Sequence, residues 1–187
     1  MKLLLIRHGL TRLGEEKRYQ GALDLGLSEK GRAELKTADF APARVYVSPL
    51  RRARETAEIL FPSAELISVP DLREMNFGAF EGRGWWEMED ELAYRDWVDG
   101  GCVGRCPGGE GRADFSARVC AAVRELLQRE RETLVIVAHG GTQMAALEKW
   151  GEPARAFYAW QRPCGSGWAL TWDGEKMHVL EEVDFRR

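Results

Sequence analysis

The feature that most constrains the fold is a pair of short apolar segments in the first and last thirds of the chain. These segments are Lys2–Ile6 and Leu134–Ala138, and each is followed within two residues by a histidine and then a glycine. Segments of this length without polar alternation are typical of strands buried on both faces of a parallel sheet. Ligands of open α/β sheets bind beyond the carboxyl ends of the strands. If the two strands are neighbours, His8 and His139 therefore reach the same crevice.

Helical patterns alternate with the strand patterns. Residues 112–129 carry an apolar stripe at helical spacing, which predicts a long amphipathic helix. Ser48 is placed as an N-cap and Pro49 as a first-turn proline, which predicts a helix that runs to about Leu60. The remaining predicted elements are a third strand at Val45–Val47, a helix capped by Ser28, a helix that follows Gly141 and ends before Pro153, and a loop over residues 99–111.

The end of the chain predicts a β-hairpin. Trp168–Trp172 and residues 176–183 flank an Asp-Gly pair, which is a strong turn signal. The alternation of helices and strands upstream predicts an α/β fold, a three-layer α/β/α sandwich with a mostly parallel central sheet. A chain of 187 residues is long enough to bury one core, so we expect one domain over residues 1–187.

Composition narrows the range of partners. The formal net charge of −3 argues against nucleic acid or an anionic membrane as a partner. The opening apolar segment is too short for a secretory signal, and no apolar stretch approaches the length of a membrane span. We expect a cytoplasmic protein that acts on a small molecule, and a homodimer is an assembly that the sequence leaves open.

The four cysteines form no C-x-x-C pair, which predicts free thiols. A zinc site on Cys102 and Cys106 would need two further ligands, and only His178 is left to offer one. The sequence therefore predicts no metal site.

Arginines flank the histidines. Arg7 precedes the first histidine, and Arg51 and Arg52 lie in the first turn of a predicted helix. Cations are unfavourable at a helix N-terminus unless an anion binds there, and the guanidinium fork matches phosphate oxygens. The alternative is a solvated arginine pair that Glu55 and Glu58 balance.

Glu74 lies in an irregular segment, residues 72–78. A carboxylic acid in a loop beside a phosphate site can act as a general acid on the leaving oxygen. Taken alone, this residue is better explained as a surface charge.

Four segments together resemble the motifs of the histidine phosphatase superfamily, which includes the cofactor-dependent phosphoglycerate mutases. Residues 5–11 resemble R-H-G-x-T, and residues 48–57 resemble S-x-L-x-R-A-x-x-T-A. Residues 72–82 resemble L-x-E-x-x-F-G-x-x-E-G, and residues 137–141 resemble the second histidine motif. The four occur in the order of the family between residue 3 and about residue 147.

The resemblance implies a role for each site residue. His8 would be the nucleophile, neutral at its attacking nitrogen, with the other ring nitrogen donating to a backbone carbonyl. Arg7, Arg52 and His139 would hold the phosphate and stabilise charge on its equatorial oxygens. Glu74 would protonate the leaving alkoxide and then activate the water that hydrolyses phosphohistidine. Neither a metal nor a cofactor is implied.

The phosphate-binding shell departs from the family at one position. The family usually has asparagine six residues after the nucleophile, and this chain has Gly14. We predict that Gln20 supplies a polar contact instead. The other predicted phosphate-binding or substrate-binding residues are Thr11, Gly21 and Gly140.

Three further segments, residues 81–86, 107–110 and 115–119, resemble the alpha-ribazole phosphatase branch of the family. Trp85 and Trp86 are candidates for stacking on an aromatic leaving group; the alternative is that they begin a helix, with one of them packed in the core. A broad-specificity phosphatase, a phosphoglycerate mutase and a pseudophosphatase that only binds phosphorylated ligands remain alternatives.

Overall fold

A computed structural model describes residues 1–187 and contains one mixed sheet of seven strands. The strands are β1 (Lys2–Arg7), β2 (Arg44–Val47), β3 (Glu65–Ser68), β4 (Thr133–Ala138), β5 (Gly151–Glu152), β6 (Ser166–Trp172) and β7 (Met177–Asp184). The helices are α1 (Arg12–Glu15), α2 (Glu29–Glu34), α3 (Arg51–Leu60), α4 (Leu92–Asp99), α5 (Arg112–Arg129) and α6 (Gly140–Trp150).

The two strands that precede the histidines are parallel neighbours, as the sequence predicts. In the sheet order β3-β2-β4-β1-β6-β7-β5, β4 lies between β2 and β1 and pairs in parallel with both. Arg7 is in register with Ala138, so the two strands end at the same level. The histidines that follow therefore leave the sheet side by side.

Helices cover both faces of the sheet, which confirms the three-layer α/β/α prediction. Leu3 and Leu5 of β1 belong to a large core cluster that includes residues of α5 and α6. Ile6 points to the opposite face and joins a smaller cluster with Ala57 and Leu60 of α3. The strand is buried from both sides, which explains why its sequence shows no polar alternation.

The C-terminal hairpin also forms as predicted, with β6 and β7 antiparallel. The Asp173 carboxylate accepts hydrogen bonds at 2.8 Å from the amides of Glu175 and Lys176, and Gly174 has a φ of +112°. The loop extends through Lys176, so the second strand begins one residue later than predicted. β6 pairs with β1 and extends the parallel core on one side.

The predicted start of α3 is wrong. The helix begins at Arg51 rather than at Pro49, and Leu50 occupies the N-cap without a side-chain bond. Asp24 supplies the missing cap, because its carboxylate accepts a hydrogen bond from the Arg51 amide at 2.6 Å. Ser48 instead contacts His139. The Ser28 cap of α2 and the bounds of α5 agree with the predictions. The loop predicted over residues 99–111 begins one residue later, because Asp99 is the last residue of α4.

None of the helices combines the length and the apolar character that crossing a membrane requires.

Candidate active site

A cavity of about 420 Å³ opens at the carboxyl ends of β1 and β4. It brings together most of the residues that the sequence predicts for the site. Those that line it are Arg7, His8, Thr11, Gln20, Gly21, Arg52, Glu74 and Gly140.

His8 is held as a neutral imidazole with one nitrogen free to react. Its Nδ1 lies 2.7 Å from the Gly9 carbonyl oxygen, which can only accept, so Nδ1 carries the proton. Burial, followed by the charges of Arg52 and Arg7, lowers the pKa of His8 well below its ordinary value. The lone pair is therefore on Nε2, which accepts a hydrogen bond from Arg52 Nε at 3.3 Å.

The loop after β1 is fixed against α3 by one side chain. The Gly9 amide donates to the Thr56 hydroxyl at 2.9 Å, and that hydroxyl donates to the carbonyl of Arg52 at 2.6 Å. Thr56 is fully buried and thereby couples the nucleophile loop to the helix that carries the arginine. Its position within the second motif was the signal that could have identified it.

His139 lies behind His8 rather than on the cavity wall. The two rings are edge to face with centroids 5.2 Å apart, and His139 is fully buried. Its Nε2 lies 2.7 Å from the Ser48 hydroxyl, whereas its Nδ1 has no partner. Burial, then Arg52 and His8, lowers the pKa of His139 well below its ordinary value.

The two site arginines have no carboxylate partner. Arg52 is 1% exposed and donates to the carbonyls of Gly21 and Leu23 at 2.7 and 2.8 Å. Burial lowers its pKa to about 10, so it stays charged at neutral pH. Arg7 donates to the Arg162 carbonyl at 2.8 Å, and its buried Nε has no partner. Neither arginine has a carboxylate within 4.0 Å, and Glu74, on the same cavity wall, is the strongest negative charge acting on Arg52.

Glu74 is held at the N-terminus of α6. Its Oε2 accepts from the Gly141 amide at 3.2 Å, and its Oε1 accepts from the Met75 amide at 3.0 Å. A Cβ on Gly141 would lie 2.2 Å from Oε1 and 2.7 Å from Phe115 Cζ, so only glycine leaves room for the carboxylate.

Sequence reasoning missed Glu81 as a site residue. Its carboxylate accepts hydrogen bonds from three backbone amides in two loops, those of Ala22, Leu23 and Phe77. The first loop also supplies the carbonyls that hold Arg52. Glu81, the second glutamate of the third motif, therefore positions the loop that orients Arg52.

Thr11 and Gln20 form a polar pair beside Gly14 on the cavity wall. The Thr11 hydroxyl donates to Gln20 Oε1 at 2.7 Å and accepts from the Gly14 amide at 3.1 Å. Gln20 Nε2 is buried without a partner, so its two hydrogens are available to a ligand. This geometry agrees with the prediction that Gln20 compensates for Gly14.

The structure does not place Trp85 at the cavity, which corrects that prediction. Trp85 and Trp86 are 54% and 42% exposed, and their rings pack edge-on against each other with centroids 6.0 Å apart. Arg18 lies over Trp86 at 5.6 Å. Trp85 does begin a short helix, the 3-10 segment Trp85–Glu87, but neither indole enters the core.

Aromatic side chains from other segments line the cavity instead. These are Tyr19, Phe77, Trp97, Phe115, Phe157 and Tyr158. Cys102 and Cys164 also line the cavity, Cys106 is buried, and His178 pairs with Asp173 on the hairpin.

The fold and the site define a class of protein: an α/β sandwich with a neutral, buried histidine facing a basic pocket at the ends of two parallel strands. The chain matches the histidine phosphatase superfamily (branch 1) over residues 3–184 and belongs to that family. This confirms the resemblance drawn from the four motifs.

Similar proteins carry several different activities in their names. A Hydrogenobacter thermophilus protein named "Putative phosphoserine phosphatase 2" is 32% identical over 155 residues, which cover 78% of this chain and 76% of the relative. The crystal structure of a phosphoglycerate mutase from Thermus thermophilus has a TM-score of 0.75 and 31% identity, with 98% of both chains covered. The structure of "a putative alpha-ribazole-5'-P phosphatase" from Escherichia coli K-12 has a TM-score of 0.82 and 25% identity, with 96% and 94% covered.

Proposed function

We propose that this chain is a phosphomonoester hydrolase that works through a phosphohistidine on His8. The observation that carries the proposal is the state of that ring: Nδ1 is occupied by the Gly9 carbonyl, and Nε2 keeps a lone pair beside two arginines. A neutral imidazole whose unprotonated nitrogen makes only a long hydrogen bond is a nucleophile, and guanidinium groups without a carboxylate partner attract a phosphate dianion.

In the first step, His8 Nε2 attacks phosphorus and the bond from phosphorus to the ester oxygen breaks. Glu74, which lies at the N-terminus of α6, donates a proton to the leaving alkoxide. In the second step, water attacks the phosphorus, Glu74 accepts a proton from that water, and the bond from phosphorus to nitrogen breaks. Inorganic phosphate leaves, and His8 returns to its neutral form.

Charge on the transferring phosphoryl group is balanced by groups already in place. Arg7 and Arg52 face the cavity, and the N-terminus of α6, where Gly140 lines the cavity, adds the positive end of the helix dipole. The Ser48 hydroxyl accepts from the Leu50 amide, so its own hydrogen can be donated to His139 Nε2. His139 Nδ1 then carries a hydrogen with no protein partner, next to the ring that receives the phosphoryl group.

For the substrate, we propose alpha-ribazole 5'-phosphate, whose leaving group carries a fused aromatic base. The support is the aromatic lining of the cavity, in which the rings of Tyr19 and Trp97 lie 5.9 Å apart, edge to face. Aromatic faces favour a flat base through stacking. The Escherichia coli structure named above adds a resemblance at the level of the fold.

A phosphoglycerate mutase is the second candidate, because relatives with that name cover nearly the whole chain. One of them, "Probable phosphoglycerate mutase GpmB" from Escherichia coli O1:K1, is 30% identical over 206 residues. A mutase would need its phosphoenzyme to resist water until it transfers the group back to the substrate.

A phosphate-release screen tests the proposal. Substrates are alpha-ribazole 5'-phosphate, phosphoserine, sugar phosphates and nucleotides, with 3-phosphoglycerate also assayed in the presence of 2,3-bisphosphoglycerate. We expect rapid release of inorganic phosphate, fastest from alpha-ribazole 5'-phosphate, and a loss of at least about 10³-fold in His8→Asn. His178→Ala, outside the site, is the matched histidine control. Interconversion of phosphoglycerates without phosphate release would replace hydrolase with mutase, and full activity in His8→Asn would exclude both.

A further inference from the structure

One arginine on the cavity wall is not needed by the proposed phosphate-transfer chemistry. Arg112 is the first residue of α5, and its side chain lines the cavity. A cation at a helix N-terminus opposes the helix dipole and therefore lowers stability slightly unless it has another role. The position of Arg112 therefore indicates a role in ligand binding.

The neighbouring arginines of the same segment are neutralised, and Arg112 is not. Arg105 forms a salt bridge with Asp114, and Arg118 forms a bidentate salt bridge with Glu110. Arg112 has no carboxylate within 4.0 Å; its guanidinium lies 4.9 Å from the centre of the Phe157 ring. Stacking on a ring leaves the in-plane N–H groups free to donate.

The same contrast holds around the cavity. Four arginines line it, and one of them, Arg18, is paired with Glu16 and Glu87. The other three lack a carboxylate partner, and two of these, Arg7 and Arg52, form the proposed phosphate clamp. Arg112, like them, lines the cavity and has no carboxylate partner.

Arg112 is separate from that clamp. The charges that lower the pKa of His8 are those of Arg52 and Arg7, whereas Arg112 acts on the Tyr158 hydroxyl. Tyr158 and Cys102 are its polar neighbours on the wall. We place the leaving group in this part of the cavity, with its phosphate at His8.

We propose that Arg112 is a specificity-determining residue that donates hydrogen bonds to an acceptor on the leaving alcohol. Phe157 packs against the guanidinium, and the acceptor receives hydrogen bonds from the N–H groups of the guanidinium. The acceptor is either a carboxylate or an unprotonated ring nitrogen. The proposal rests on the proposed function, because it names what the same site selects in its substrate.

Two matched substrate pairs test the proposal. In the first, 3-phosphoglycerate and glycerol 3-phosphate differ only by a carboxylate in place of a hydroxymethyl group. In the second, alpha-ribazole 5'-phosphate is compared with the 5,6-dimethylindole riboside 5'-phosphate, which lacks the accepting ring nitrogen. The variant is Arg112→Met, which keeps an unbranched apolar stem against Phe157. The control is Arg105→Met, an exposed arginine that does not line the cavity.

We expect Arg112→Met to lower kcat/KM about tenfold or more for the acceptor-bearing member of one pair, since hydrogen bonds to charged groups are worth this much. Its partner should change by less than about twofold, because it has neither the carboxylate nor the ring nitrogen with which the guanidinium forms its strong hydrogen bonds. The pair that responds identifies the acceptor. Equal losses for both members, or no change in either pair, would overturn the proposal.

Binding measurements distinguish a failure of this proposal from a failure of the proposed function. Dissociation constants of the same four compounds are measured by calorimetry on His8→Asn, with and without Arg112→Met. If no compound is hydrolysed by the wild type, the proposed function fails, but a tenfold selective loss of affinity still supports the role of Arg112. Equal affinities in both backgrounds overturn it, whatever the activity shows.

Discussion

At the scale of single residues, the site depends on keeping two histidines neutral in a basic, buried environment. His8 and His139 are 7% and 0% exposed, and burial is the largest cause of their lowered pKa values. A protonated imidazole could not attack phosphorus, so burial that is costly for the folded state also serves the chemistry.

This burial predicts an acid-sensitive fold. Because the folded-state pKa values lie below those of the unfolded chain, the unfolded chain binds more protons as the pH falls through about 6.5. Stability is therefore full above that pH and is lost below it, by up to about 1.4 kcal/mol per pH unit for each histidine. Urea unfolding between pH 5 and 7 measures the slope. His139→Gln should reduce the slope of unfolding free energy against pH by the contribution of one proton. An unchanged slope would show that His139 is not held neutral.

Gln20 gives a second prediction at this scale. Its buried, unpartnered Nε2 should donate to a phosphate oxygen, because Thr11 fixes the orientation of the amide. Gln20→Leu should weaken binding of inorganic phosphate about three- to tenfold, the usual worth of one hydrogen bond. Competitive inhibition by phosphate measures the change. An unchanged inhibition constant would mean that Gln20 does not compensate for Gly14.

At the scale of elements, parallel pairing of β1 and β4 does most of the positioning. The register that aligns Arg7 with Ala138 brings two histidine loops together although 130 residues separate them in sequence. The loop after β2 adds Ser48, and α3 adds Arg52 and Thr56. Each element delivers its polar group at the same end of the sheet, so the site requires the strand order and not only the motifs.

The start of α6 allows a sharp test of this positioning. Ala in place of Gly in a helix ordinarily stabilises it, but a methyl at Gly141 would displace the Glu74 carboxylate. Gly141→Ala should therefore lower kcat about 10- to 100-fold, with a smaller effect on KM, because misplacing a catalytic group by about 1 Å is costly. Steady-state kinetics on any accepted substrate measures the split.

Gly104→Ala is the control, since a Cβ there has its nearest neighbour at 3.8 Å and the residue does not line the cavity. Wild-type kcat in Gly141→Ala would show that Glu74 needs no fixed position.

Local patterns predicted most of the elements, and tertiary contacts account for the errors. The apolar segments Lys2–Ile6 and Leu134–Ala138 and the stripe of α5 report burial directly, so they were read correctly. The cap of α3 could not be predicted because Asp24, 27 residues upstream, supplies it. Ser48 has the residue type of a cap, but its hydroxyl is hydrogen-bonded to His139, which follows β4.

At the scale of the whole molecule, the proposed catalytic residues were predictable from the sequence, and the aromatic lining of the cavity was not. His8, Arg52 and Glu74 lie in motifs that the sequence displays. The aromatic wall is assembled from separate segments, and its members carry no shared pattern in the sequence. Trp85, which does stand in a suggestive pair, lies on the surface. Arg112 lies in no motif, and only the structure shows that Arg105 and Arg118 are paired with carboxylates whereas Arg112 is not.

The whole account depends on covalent transfer of phosphate to one ring nitrogen. Rapid mixing with an excess of substrate, alkaline quenching and peptide mass spectrometry would capture the intermediate, because phosphohistidine survives alkali. We predict a single phosphoryl group on His8, attached at Nε2, since Nδ1 is engaged by the Gly9 carbonyl. Active turnover with no phosphoryl group on His8, or with the group on another residue, would contradict the account.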